Sequence, residues 1–246
     1  MKTHIAMALV VGMMFSSGSR AATAGRIRPG SGALLATESA LPIDTTFTVE
    51  SGSREFVAAD QALDVDILRI MGRAGLQVLP WLYLDAGAGW ALAESNYEKG
   101  EGGLAWLVGT RLALIEQVIA SSPVAGVLQS WGLAVEAEYS YTESDSDKTG
   151  FSWYEFTIAP LLHYTINRRQ DGLAGVHRVP QGALILGLLY SDIDGDRGPA
   201  AMHAERNFAT IIGGEVLLHD DWAASLRAVV FANSETVVRL TLGRYF

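Results

Sequence analysis

Bulky apolar and polar or small residues alternate with period two along most of the chain beyond residue 45. That is the spacing of a strand whose two faces meet different surroundings. In WGLAVEAEYSY, Trp131, Leu133, Val135, Ala137, Tyr139 and Tyr141 share one face, and Gly132, Ala134, Glu136, Glu138 and Ser140 share the other. SWYEFTIAPLLHYTI repeats the pattern, with Tyr154, Phe156, Ile158, Leu162, Tyr164 and Ile166 opposite Trp153, Glu155, Thr157, Ala159 and His163. Pro160 lacks an amide hydrogen, so a bulge or a missing ladder bond is expected there. Arg69, Arg73 and Gln77 oppose Leu68, Ile70, Ala74, Leu76 and Val78; Tyr83 and Asp85 oppose Leu82, Leu84 and Trp90. Gly109 and Arg111 oppose Leu104, Trp106, Val108, Leu112 and Leu114, while GALILGLLYSD is apolar on both faces. FATIIGGEVLL and WAASLRAVVF place Glu215, Ser225 and Arg227 on their polar faces.

Counted this way, strands fall near 45–56, 66–79, 82–93, 102–116, 127–142, 151–166, 182–193, 206–219, 222–232 and 235–246. Strands of about ten residues with alternating hydrophobicity, separated by turn residues, are the signature of a transmembrane β-barrel. The expected fold is therefore all-β: one antiparallel up-and-down barrel of about ten strands, with eight or twelve also compatible. The rival is a soluble sandwich that buries the apolar faces against protein. Leu79–Trp81 and His219–Asp221 leave room only for tight hairpins on the side of the chain termini. ESNYEKGEGG, TESDSDKTG and DIDGDRGPAAMHAERN are read as longer polar loops on the other side. EQVIASSPVAG and NRRQDGLAGVHRVPQ are longer than inner connections should be.

The composition, 49% hydrophobic and 18% charged with a mean hydropathy of +0.21, is greasier than an ordinary water-facing domain. Part of this lies at the start. Lys2 and His4 precede the apolar run Ile5–Phe15, and Ala22 and Ala24 stand at cleavage-site spacing, as in a secretory signal peptide over 1–24. The run is shorter than the ~20 residues a membrane helix needs. Residues 25–44 are expected to be unstructured, with the barrel over 45–246. Loss of Lys2 and Arg20 leaves 16 basic against 27 acidic residues, a net charge of −11, which disfavours nucleic acid as a partner. With no cysteine, an exported fold must rely on its core or on lipid.

The chain closes on TVVRLTLGRYF, an alternating strand that ends on an aromatic residue. In a closed barrel such a strand pairs with the first, because an open edge in hydrocarbon leaves amides unsatisfied. Val238, Leu240, Leu242 and Phe246 resemble the terminal strand of small single-domain outer-membrane β-barrel proteins of Gram-negative bacteria. Arg244 departs from that pattern, where an arginine must snorkel to water. The resemblance implies an outer-membrane location and contact with outer-membrane lipid and lipopolysaccharide. It also implies that the barrel-assembly machinery reads the last strand. It points to no functional subfamily; a monomer is expected.

Inward positions carry both charges: Arg69, Arg73, Arg111, Arg227 and Arg239 against Asp85, Glu136, Glu138, Glu155 and Glu215. Balanced signs favour a self-paired network over a selective pore ring. The function expected is structural or small-solute passage, porin-like. The alternative is surface or ion binding through the acidic outer loops. A barrel-embedded hydrolase would need the glutamates at a defined separation, or His163 as base beside a nucleophile; no nucleophile motif accompanies it. No catalytic residue and no cofactor is therefore assigned. Asp192, Asp194 and Asp196 sit at the first, third and fifth positions of a calcium-loop pattern, but Arg197 and His203 occupy the sixth and twelfth.

Overall fold

A computed structural model describes residues 43–79, 81–122, 127–146, 149–172, 175–205, 207–219, 222–232 and 235–245. The signal peptide and most of the segment expected to be unstructured lie outside them. Ile43 and Asp44 belong instead to the first strand. The strands are β1 (Ile43–Ala58), β2 (Gln61–Leu79), β3 (Leu82–Ser95), β4 (Gly100–Ser122), β5 (Val127–Ser146), β6 (Phe151–Gly172), β7 (Gly175–Arg197), β8 (Ala200–Ala204), β9 (Phe208–His219), β10 (Trp222–Phe231) and β11 (Thr236–Tyr245).

Each long strand pairs antiparallel with the next, and β11 pairs with β1 from Asp44↔Tyr245 to Gly52↔Val237, closing a ten-stranded barrel. Strand β8 is the addition. It forms a hairpin with β7, then pairs with β1 at Phe56↔Ala204, Val57↔His203 and Ala58↔Met202. It thereby passes above the short β10–β11 hairpin. The wall is ten strands wide at the rim where β1 begins and β11 ends, here the terminal rim, and eight strands wide at the distal rim.

All ten expected strands form, and their alternation assigns the faces correctly. Three expectations need correction. The acidic connections are not loops but continuations of the strands, so that Asp192, Asp194 and Asp196 lie within β7. The β1–β2 connection shrinks to Ala59 and Asp60, both at positive φ (50° and 62°), as a type I′ hairpin turn requires. The two long inner connections are also hairpins, with β4 running to Ser122 and β6 to Gly172. At Pro160 the ladder to β7 is interrupted between Ile158↔Tyr190 and Leu161↔Gly187 without a change of register.

The outer wall carries a continuous apolar band. On β2 it runs from Leu68 to Val78, on β3 from Leu82 to Leu92, and on β7 across Leu184, Leu186 and Leu188, which are 66%, 51% and 64% exposed. Phe156 is exposed there, and Leu133 and Leu240 are half-buried. Aromatic residues edge the band. Trp106, Tyr139, Tyr141 and Tyr154 cluster on its distal side, with Tyr141 and Tyr154 ring centroids 4.8 Å apart. On the terminal side the Arg244 guanidinium lies 5.8 Å from the Trp222 ring, which lets a charged side chain sit at the edge of the greasy surface. Beyond the distal edge the same outward register becomes acidic: Asp64, Asp66, Glu94, Asp145, Asp192, Asp194 and Asp196 are exposed.

Candidate functional site: the barrel interior

Because side chains alternate across a strand, the inward set follows once one residue per strand is placed. Its mid-section is a chain of ion pairs. Glu155 accepts from Arg54 (2.7 Å), Arg69 (3.3 Å) and Ser191 (2.7 Å). Arg69 also reaches Glu50 (3.0 Å), and Glu50 accepts from Arg239 (2.7 Å). Arg239 continues to Glu138 (3.4 Å), Glu138 accepts from Arg73 (2.9 Å), and Arg73 ends on Asp85 (2.5 Å). A second group joins Arg227 to Glu136 (2.8 Å) and Glu136 to Arg111. Glu215, buried on β9, completes a set of six arginines and six carboxylates. Charges taken out of water are tolerated only when paired and hydrogen-bonded in this way.

Ten of the eleven inward residues singled out from the sequence fall in this network. His163 does not. It is buried against Gly132 on β5, where an added Cβ would come within 2.3 Å of its Nε2. Nearby, Ser130 and Thr165 bond to each other at 2.6 Å, and no hydrogen bond among the described residues joins His163 to a nucleophile. Glu50 and Arg54 are network members that sequence reasoning missed. The signal was present in β1, whose residues Thr46, Thr48 and Glu50 alternate with Phe47 and Val49.

Above the network the interior is mostly apolar. Phe56, Leu63, Val65, Ile67, Phe151, Trp153, Ile193 and Met202 pack together inside the eight-stranded distal section. Arg54 lies 4.2 Å from the Phe231 ring and Arg69 5.5 Å from the Trp153 ring, so cation–π contacts join network to plug. Below it, Ala159, Leu161, Ala183, Ile185 and Ile211 form a second apolar cluster. This explains the two-faced apolarity of β7: Ala183 and Ile185 face in, and Leu184 and Leu186 face out. What space remains among the charges is about 110 Å³, room for several waters and well short of the ~300 Å³ at which ligand pockets begin.

Asp192, Asp194 and Asp196 point outward from β7, not into a loop, and among the described residues no cluster of three or more acids and histidines is arranged to hold a metal. Val238, Leu240 and Leu242 face outward from β11; Phe246 lies outside the described residues.

No family model and no curated protein matches the chain. Among solved structures, the translocator domain of the autotransporter NalP from Neisseria meningitidis is similar at 7% identity and a TM-score of 0.39, covering 85% of this chain and 90% of that one. The transport unit of the autotransporter AIDA-I from Escherichia coli gives 7%, 0.40, 85% and 91%. The Ralstonia pickettii toluene transporter TbuX gives 8%, 0.29, 85% and 90%. Likenesses this distant carry no argument about function. The architecture rests on the strand pairing itself.

Proposed function

We propose that the chain is a non-enzymatic, structural β-barrel of a Gram-negative outer membrane, monomeric, with a closed interior. The observation that carries this reading is the outer wall. An apolar band that runs 11 residues along β2 and β3, edged by aromatics and followed by carboxylates in the same register, matches the depth and polarity profile of a bilayer, which a tilted strand crosses in about 9–11 residues. No helix among the described residues is long and apolar enough to cross a membrane, so strands would make the crossing. Lipid and lipopolysaccharide are the partners of the band, and the barrel-assembly machinery is the partner of β11.

Between the two functions the sequence left open, scaffold and solute passage, the interior favours the scaffold. The charges are consumed by one another, and the apolar plug closes the distal end. Planar-bilayer recording tests this: no steady single-channel steps are expected, and reproducible unitary conductance would overturn the closed reading. Membrane fractionation with heat-modifiable gel migration tests the location separately. A second reading, diffuse cation binding at the distal wall with no fixed metal site among the described residues, rests on the exposed outward row Asp192, Asp194 and Asp196. A calcium or magnesium titration that leaves the melting temperature unchanged would remove it.

A further inference from the structure

The distal ring is continuous only because β8 bridges from β7 to β1. We propose that this bridge is a pH-sensitive strap, held closed while Glu55 is uncharged and loosened from β1 when Glu55 and Glu205 face each other as two carboxylates.

The seam is the weakest joint in the wall. Three residue pairs and one further backbone bond, Glu205 N–H to Glu55 C=O at 3.2 Å, hold β8 to β1. The β1–β11 joint has nine pairs and β1–β2 sixteen. Glu55 lies on the outer wall, beyond the distal edge of the apolar band, and the β1–β8 register sets it directly opposite Glu205 on the same face. Two ionised carboxylates directly opposite each other across a strand pair repel, and protonating one of them removes the repulsion. The other acids facing Glu55 are Asp64, its cross-strand partner on β2, and Glu235 on the β10–β11 hairpin. From β8, His203 stands on the same outer face opposite Val57, in register with Asp194 on β7. Arg54, the preceding residue, turns inward to Glu155; Arg206 lies outside the described residues.

The facing Glu205 carboxyl, then partial burial, then the charges of Asp64 and Glu235 hold the Glu55 carboxyl above the usual carboxylate range. In the released strap, Glu55 would titrate near the ordinary ~4.3. A raised value in the closed state makes closure fully favoured below ~4.3 and progressively less so as pH rises through the raised value. On the inner side of the seam, Met202 and Ala204 belong to the distal plug. Release therefore takes two residues out of the plug while leaving the ion-pair network in place. This inference does not depend on the barrel's being set in a membrane.

The test is amide hydrogen exchange of the β8 segment in the full chain, in detergent with a chelator present, at pH 4.0 and 7.5 after correction for intrinsic rates. The wild type should lose protection across 200–205 by roughly two- to fivefold at pH 7.5, the size of the repulsion between two like charges directly opposite across a strand pair. The β4–β5 segment should stay protected at both. Glu55→Gln, whose amide cannot ionise, should be equally protected at both pH values. Protection of β8 that is independent of pH in the wild type, or an unchanged pH response in Glu55→Gln, would overturn the proposal. Spin labels at Val57→Cys and His203→Cys, in a protein without native cysteine, give an independent readout. Their distance distribution should broaden at pH 7.5, and an identical distribution at both pH values counts against the strap.

Discussion

Glu155 accepts hydrogen bonds from Arg54, Arg69 and Ser191, all buried inside the barrel. Its replacement by glutamine keeps the shape but leaves two guanidinium groups without a counter-charge. Breaking a buried pair from one side costs about 3–5 kcal/mol, and urea unfolding in vesicles should show a loss of that order for Glu155→Gln. A loss below ~1 kcal/mol would mean that water already screens these charges. Glu98 works the other way, outside the barrel body. It joins the distal tips by accepting from Arg197 (2.6 Å), Ser146 (3.0 Å) and Thr149 (2.8 Å). Burial pushes its carboxyl up, but the bonds from Thr149, Arg197 and Ser146 outweigh it and hold the carboxyl below the usual carboxylate range. The stability it lends is present above ~4.3 and is lost as pH falls through the depressed value. Exchange at the Thr149 and Gly150 amides, both bonded to Ser146, should therefore rise between pH 6 and pH 3, and Glu98→Gln should abolish that difference. Most of the network was legible because a charge on the polar face of an alternating strand can only point inward. The pairing was not legible, since Arg54 and Glu155 stand 101 positions apart and meet only through barrel closure. Nor was the setting of His163, because nothing in its own strand announces Gly132.

At the scale of elements, the seam between β1 and β11 closes over Gly52. A Cβ there would lie 2.3 Å from the Thr236 carbonyl oxygen and 2.6 Å from the Val237 Cα, both backbone atoms. Neither can rotate away, so Gly52→Ala must pry the first strand from the last at the point where β11 gives way to the β8 bridge. Forced overpacking costs typically 1–3 kcal/mol. The folded band on an unboiled gel should disappear at a lower temperature than for the wild type, while alanine at Gly72, where a Cβ meets nothing within 4 Å, should leave it unchanged. The strands themselves were readable because a barrel wall with an apolar outer face and a charged inner one imposes alternation along each strand. Their distal extensions were not. Beyond the band the outward face turns acidic and the inward face apolar, as in LDVD and SDIDGD, and that mixture looks like loop composition to any pattern count. Strand β8 is five residues long, too short to establish a period, and exists because β7 and β1 offer it edges on both sides.

For the molecule as a whole, the decisive question is what touches the outer wall. A soluble barrel with this surface would expose far more contiguous apolar area than monomeric proteins tolerate, whereas in a bilayer the same surface is the favourable one. The two cases separate at single positions. Leu186 stands outward at the middle of the β7 band, in register with Leu162 and Ile212. Asp194 points outward from the same strand eight residues further on, past the distal edge. In water, arginine at either exposed position should change stability by no more than ~0.5 kcal/mol. In a bilayer, arginine near the midplane costs about 2–4 kcal/mol and near or beyond the interface about 0–1. Unfolding titrations of Leu186→Arg and Asp194→Arg in phospholipid vesicles should therefore differ by at least ~2 kcal/mol, with Leu186→Arg the less stable. Repeating the depth comparison on β2, with Ala74→Arg against Asp66→Arg, should give the same order, because a bilayer acts on every strand at the same height. Equal costs on both strands would mean that the band is covered by water or by protein, and the membrane reading would fall with it.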